Sequence, residues 1–367
     1  MNVMIYSFLN LAFGGGFERW VKEVTPRLVS QGYRVYVVTS KAGDVKDPSV
    51  VRQLTRAGVH VIEVDNYSKP LAVPKLRYFK KILSIAKDSD VLYFNNAFAG
   101  NEVLVRMIKS VAGTKVIAGY RGLFPHLGGY LRRAYHSTIN KNISKTFDAH
   151  HVVNRDTKKL LLSFGYRHVY HIPNGVDITK FRPGKKNNIF TVLFVGRLDY
   201  QKGFDIFAQI VEYLNRRYEN EIRFVICGKG PLSHIVERLT RNYKNVEWLG
   251  YVSGDALVRA YQKAHVLVAS SRFEEFLFTS IEAQACGTPV IAFDIPGPRD
   301  NIINGRTGFL VKPSVKMLIK YIVFFKELWE KGDYVKYSEN ARKNSLNYDW
   351  EIIVRKLKTM FEEVAKL

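Results

Sequence analysis

The sequence predicts an α/β protein of two consecutive domains, each a parallel sheet with helices between its strands. Apolar runs of strand length alternate with amphipathic stretches of helix length almost from end to end. The alternation breaks once, at a turn-rich segment near the middle, and then restarts. At 367 residues the chain is long enough for two domains with a large core.

In the first series, strands are expected at 3–6, 35–39, 59–64, 91–94, 115–118, 149–153 and 169–172. Helical stretches fall between them, as over 17–31, where Trp20, Val24 and Leu28 share one face. Between the first strand and this helix lie Gly14, Gly15 and Gly16, followed by Glu18 and Arg19. Glycines there let backbone approach a phosphate, and the helix start adds its own N–H groups; a flexible loop fits the same pattern. Pro173-Asn174-Gly175, then Pro183-Gly184 and the polar residues after them, read as the interdomain linker. The second series places strands at 190–195, 223–227, 246–249, 265–269 and 289–292, and the chain turns helical after Val311. The organisation is therefore 1–175, 176–345 and a C-terminal helix within 346–367, which is expected to pack back on the first domain. Two such series of similar size argue for Rossmann-like domains facing each other across a cleft.

Composition is that of a soluble globular protein, 47% apolar and 24% charged. No run approaches the eighteen apolar residues that a spanning helix needs. The first thirteen residues lack a basic leader and read as a buried strand and loop rather than a signal sequence. Cys227 and Cys286 show neither pairing nor metal spacing, which points to a reducing cytoplasm. Net charge is +23, and it is unevenly spread. Residues 1–180 carry 27 basic against 12 acidic side chains, a balance of +15, and residues 181–367 carry 29 against 21, a balance of +8. Such a field favours a polyanionic partner: an anionic membrane, a phosphorylated acceptor or nucleic acid.

The stretch from Glu274 to Glu282 carries the most chemistry. It places two carboxylates eight positions apart, at a turn that opens a short helix between two strands. A helix start presents free N–H groups to an anion. Carboxylates on either side of a diphosphate could accept hydrogen bonds from a ribose and a hexose, about 12 Å apart at helical rise. By spacing alone the pair fits equally well as partners of the helix dipole. Arg197 and Lys202 bracket the equivalent loop after the first strand of the second series and could both reach a diphosphate. Cys227-Gly228-Lys229-Gly230-Pro231 is an incomplete dinucleotide fingerprint and reads as a tight turn. Asp88-Ser89-Asp90 sits at the N-terminal edge of a strand, the wrong edge for a metal-bound ligand, and the nine histidines show no metal spacing.

Taken together the pieces resemble the family 4 glycosyltransferases, retaining enzymes of the GT-B fold. In order they are Gly15-Gly16 with Glu18; Ile172-Pro173-Asn174-Gly175-Val176-Asp177 and Phe181-Arg182-Pro183; Gly196-Arg197-Leu198 with Lys202-Gly203; Gly228 to Pro231; Leu249-Gly250; Glu274 to Glu282 with Cys286-Gly287-Thr288-Pro289; and Gly305 to Leu310. They span nearly the whole chain. The resemblance implies that Glu282 holds the donor's ribose hydroxyls, that Glu274 contacts the transferred sugar, and that Arg197 and Lys202 grip the diphosphate. Glu274, Arg197 and Lys202 are then the catalytic candidates. Gly15, Gly16, Phe276, Leu277, Phe278 and Thr279 would line the donor, partly through backbone N–H groups, with Tyr251 and Val252 bordering the base. The donor would be a UDP- or GDP-sugar. No cofactor and no metal is implied, and the leaving phosphate would help to take the acceptor's proton. Two departures stand out. Family members commonly have Glu-Gly-Phe-Gly where this chain has Glu274-Glu275-Phe276-Leu277, so side chains would narrow the pocket and Glu275 would add charge. Many members also place a histidine where this chain has Arg121, which becomes a candidate acceptor or sugar contact.

Basic and apolar residues mix at helical spacing over 74–83 and again over 130–145, a pattern that suits the surface of an anionic bilayer or, equally, a solvated basic face. The expected function is thus a metal-independent retaining hexosyltransferase. It would take a nucleoside-diphosphate sugar to a glycan or lipid-linked acceptor, in the cytoplasm and at the inner face of the cell membrane. Nucleic acid is not the expected partner, since no reading motif accompanies the charge. The rivals are a non-catalytic basic protein on a decayed scaffold, and the same enzyme class acting on a small soluble acceptor.

Overall fold

The computed structural model of the chain describes residues 1–7, 10–11, 15–41, 49–66, 74–95, 99–121, 146–218 and 221–367. They form two compact units, Met1–Asn174 together with Trp350–Leu367, and Gly175–Asp349.

The first unit is a seven-stranded sheet in the order β3-β2-β1-β4-β5-β6-β7. Its strands are β1 (Asn2–Tyr6), β2 (Arg34–Ser40), β3 (His60–Val64), β4 (Val91–Asn95), β5 (Lys115–Tyr120), β6 (Ala149–Val152) and β7 (Val169–His171), all parallel. The helices between them are α1 (Gly16–Ser30), α2 (Ser49–Arg56), α3 (Phe79–Lys87), α4 (Ala99–Ala112) and α5 (Arg155–Ser163). Helices on both faces explain why β1 buries Val3, Met4, Ile5 and Tyr6 alike instead of alternating. Helix α1 buries Phe17, Trp20, Val21, Val24 and Leu28, the stripe that a 3.6-residue period demands.

The second unit is a six-stranded parallel sheet in the order β10-β9-β8-β11-β12-β13. Its strands are β8 (Phe190–Val195), β9 (Ile222–Cys227), β10 (Val246–Gly250), β11 (Val266–Ala269), β12 (Val290–Phe293) and β13 (Gly308–Val311). Its helices are α6 (Phe204–Asn215), α7 (Ser233–Asn242), α8 (Gly254–Lys263), α9 (Phe278–Ala285), α10 (Pro296–Asn301), α11 (Val315–Lys331) and α12 (Tyr334–Ser345). Phe194, Phe204, Phe207 and Phe224 pack in one core cluster, their rings 5.1–6.4 Å apart where they meet.

Strand β13 is absent from the sequence expectation because Gly305 and Gly308 read as turn residues. The structure shows why glycine belongs there: a Cβ on Gly308 would stand 1.9 Å from the carbonyl oxygen of Val290, so only a bare backbone can take that place beside β12. The expected linker is also corrected. The break between units falls at Asn174–Gly175, and the rest of the segment is tied into the second unit. Lys186 Nζ donates to Thr288 Oγ1 at 2.6 Å, and Arg342 donates to the carbonyls of Phe181 and Ile178.

The last helix, α13 (Trp350–Ala365), belongs to the first unit. It buries Trp350, Ile353, Val354, Leu357, Met360, Phe361 and Val364 against α1, β4 and β5. At its surface Arg27 pairs with Glu351, and the Tyr33 hydroxyl donates to Glu362.

Candidate active site

In a doubly wound sheet, ligands sit beyond the strand C-termini at the point where strand order reverses. In the second unit that point lies between β8 and β11, and the loops that follow them carry four of the sequence candidates. Lys202 Nζ, after β8, donates to Glu274 Oε1, after β11, at 2.5 Å. Ser271 Oγ donates to the same oxygen at 2.8 Å, and the Glu274 carboxylate is nearly buried. Arg197 points its guanidinium at Asp199 while staying 60% exposed, so it can exchange that partner for a ligand oxygen. Asp199 orients both cations, because its second oxygen accepts from the Lys202 backbone N–H at 2.8 Å.

Backbone contact fixes this geometry. Gly203 caps α6 in a left-handed conformation (φ 68°), and a Cβ there would meet the Ser270 carbonyl oxygen at 1.9 Å. Ser270 Oγ donates to the Gly203 carbonyl in return, at 2.8 Å. The turn 227–231 backs the loop from behind, with Leu198 N–H donating to the Lys229 carbonyl and Leu232 N–H to that of Leu198.

Helix α9 opens beside this pair. Leu277 is its N-cap; no side chain caps it, and its first turn holds no acid. The N–H groups of Phe278 and Thr279 thus lie at a helix start suited to an anion. Only the residues from Phe278 onward are helical, so the helical-rise estimate of the distance from Glu274 to Glu282 applies to half of that span. Glu282 is 2% exposed, and the buried Tyr261 hydroxyl donates to its Oε2 at 2.7 Å. Glu275, Phe276 and Leu277 are buried as well. Gly297 closes under the loop, its N–H donating to the Glu274 carbonyl at 3.0 Å. Tyr251 is 73% exposed just after β10, with Val252 half-buried beside it.

The first unit holds the remaining candidates. Gly15 is the N-cap of α1 and Gly16 its first residue, again with no side-chain cap. Glu18, in the first turn, is 2% exposed. Arg121 follows β5 and lies 4.4 Å from the centre of the Trp20 ring, donating to Asn174 Oδ1 and, at 3.3 Å, to the Tyr93 hydroxyl. Desolvation lowers its pKa, while Tyr93 and Glu18 act in the opposite direction. Behind it the Tyr93 hydroxyl meets His151 Nδ1 at 2.9 Å, and His151 Nε2 meets the Ile172 carbonyl at 2.8 Å. Gly14 and the basic segment 130–145 lie outside the described residues.

Three contributors are missing from the sequence expectation. Asp199 stands in plain view in its loop, an acid between two cations. Ser271 and Tyr261 give no local signal, since the one needs the bend after β11 and the other needs α8 packed on α9. Asp90 accepts from the Asn2 N–H at 2.7 Å, anchoring the start of β1. Among the described residues no group of three His, Cys, Asp or Glu side chains could hold a metal ion.

Two Rossmann-like units, with cations, carboxylates and an uncapped helix gathered at the switch point of the second, define a protein of the GT-B fold. Residues 14–180 match the model of Glycosyltransferase Family 4, and residues 176–344 match that of Glycosyl transferases group 1; the chain belongs to this family. One human relative, the GlcNAc-transferring component of phosphatidylinositol N-acetylglucosaminyltransferase, is 25% identical over 83% of this chain and 64% of its own length. The chain thus spans less than two thirds of that relative. Among solved structures, a glycosyltransferase from Rickettsia africae superposes with a TM-score of 0.82 at 20% identity, covering 100% of this chain and 98% of that one. The Anabaena protein HepE, solved with UDP, gives 0.78 at 18% identity with both chains fully covered, and it has also been solved with UDP-glucose.

Proposed function

We propose that this protein transfers a hexose from a UDP- or GDP-sugar to a glycan or lipid-linked acceptor, with retention at the anomeric carbon and without a metal. The observation that carries the reading is the Lys202–Glu274 pair beside the uncapped start of α9, with Glu282 one helical segment further on. Lys202, Arg197 and the N–H groups of Phe278 and Thr279 would neutralise the diphosphate as it leaves. Glu274 would exchange Lys202 for hydroxyls of the transferred sugar, and Glu282 would accept from the ribose. Tyr251 and Val252 would flank the base. Gly15, Gly16 and Arg121 would serve donor and acceptor from the first unit. The departing phosphate would take the acceptor's proton, so the chain needs no separate base.

A membrane-surface acceptor is supported by the first unit. Leu76 is 73% exposed among the exposed Lys75, Arg77, Lys80 and Lys81, and α4, which packs on α3, exposes Met107 and Val111. Among the described residues no helix is long and apolar enough to cross a membrane. The human relative takes its name from phosphatidylinositol, a lipid, which fits the same reading. We place the enzyme at the cytoplasmic face of the cell membrane.

Calorimetric titration with UDP, GDP and ADP in EDTA tests the donor site. One of them is expected to bind, and Glu282→Ala to weaken it by roughly ten- to a hundredfold. Glu274→Ala is expected to reduce turnover with little change in nucleotide affinity. Unchanged behaviour in both variants would remove the assignment, and inversion seen by NMR of the product anomer would remove the retaining mechanism.

A further inference from the structure

We infer that Tyr261 is a positioning residue for the donor nucleotide, acting through Glu282; the inference rests on the ribose role proposed for that carboxylate. Tyr261 sits in the third turn of α8 with 0% exposure, and its hydroxyl donates to Glu282 Oε2 at 2.7 Å across the contact between α8 and α9. The pairing is not incidental to packing. A buried phenol beside a buried carboxylate gives a charge-assisted bond, stronger than a neutral one and directional. A carboxylate offers about four acceptor positions, so one such bond sets its plane while leaving capacity for a vicinal diol.

The phenol is itself held from both ends. Thr288 Oγ1 donates to the Tyr261 carbonyl at 2.7 Å, and Lys186 Nζ donates to Thr288 Oγ1 at 2.6 Å. The Phe181 ring meets the Tyr261 ring edge-on, with centroids 6.1 Å apart. The chain of contacts thus runs from the segment before β8, through the turn after α9, to the helix opposite, and it ends on the Glu282 carboxylate. Without the phenol, Glu282 would keep its place in α9 but lose the constraint on its terminal torsion. An intermediate such as this one separates binding of the diphosphate, which Tyr261 does not touch, from reading of the ribose, which it governs.

The test uses the full-length chain and whichever of UDP, GDP and ADP binds, together with the 2′,3′-dideoxy form of the same nucleotide. The wild type is expected to prefer the natural diphosphate by at least tenfold. In Tyr261→Phe that preference is expected to fall to about threefold or less, while affinity for the dideoxy form stays within about twofold and the melting temperature shows one cooperative transition. In a Glu282→Gln background, Tyr261→Phe is expected to leave the ratio unchanged, because the phenol acts only through the carboxylate. Thr288→Val provides a milder variant in which the ring and hydroxyl remain, with a partial loss of preference expected. A purely structural Tyr261 would weaken both nucleotides equally and leave the ratio intact, which overturns the inference. A wild-type ratio near one, or no binding by any of the three, overturns the ribose role of Glu282 and this inference with it. A wild-type preference that survives both Tyr261→Phe and Thr288→Val overturns the role of Tyr261 alone.

Discussion

The two units share a plan but secure their candidate residues by different means. In the second, the loops after β8 and β11 touch backbone to backbone, at Gly203 against Ser270, and the charged side chains ride on that contact. In the first, the cation after β5 is held by side chains: Trp20 beneath it, with Asn174 and Tyr93 as acceptors. A backbone lock tolerates no substitution at the contact. A side-chain cage can be altered one member at a time. The lock writes itself into the sequence as an obligatory glycine, whereas the cage leaves ordinary-looking residues scattered along the chain.

The sharpest way to break this contrast is at Gly203. Gly203→Ala combines a left-handed backbone with a clash against fixed main chain, and it is expected to destabilise the second unit by about 4 kcal/mol. Denaturant unfolding followed by hydrogen exchange of each unit would show it. A loss below about 1 kcal/mol would mean that the loops separate easily and that the lock is illusory.

Acid separates the units more gently. Burial pushes His150 and His151 in the first unit, and His265 in the second, down to about 3. A histidine neutral in the folded state but protonated near 6.5 when unfolded costs stability as pH falls from about 6.5 towards 3. By pH 5 each contributes a loss on the order of 2 kcal/mol. With two against one, exchange protection in the first unit is expected to fall by about 2 kcal/mol more between pH 7 and pH 5. Lys186 works in another window. Its pKa of about 7 lies below the ordinary value for lysine, so the second unit gains stability as pH rises from about 7 to 10.5. Equal acid losses in the two units would contradict the histidine account.

The smallest expected effect comes from opening the cage. Arg121→Met keeps an apolar contact with Trp20 but leaves the Asn174 carbonyl without this donor, costing about 1.5 kcal/mol. If calorimetry gives a loss as large as that of Gly203→Ala, the distinction between lock and cage fails.

The same contrast governs what can be read from sequence. The alternation of buried strands and amphipathic helices announces both sheets, and the motifs around Arg197, Lys202, Glu274 and Glu282 are legible because each lies in a short stretch at one strand end. Two things are not. β13 hides behind Gly308, where the residue that normally argues against a strand is what lets this one approach its neighbour. Tyr261 hides because its partner is 21 residues away and the two meet only once α8 packs on α9. The Glu275 and Leu277 departures are visible, but their burial is not, since exposure at a loop depends on what closes over it.

The chain leaves the first unit at Asn174 and re-enters it at Trp350, so one compact body is written inside the sequence of the other. A nascent chain that has emerged as far as Asp349 carries everything the second unit needs, while the first still lacks the helix that covers β4, β5 and α1. The order of completion therefore reverses the order of synthesis. A chain stopped at Asp349 is expected to yield, on brief proteolysis, a resistant fragment that begins near Gly175 and a first unit cut throughout. Until its final sixteen-residue helix arrives, the N-terminal half is a customer for chaperones and the middle of the protein is not.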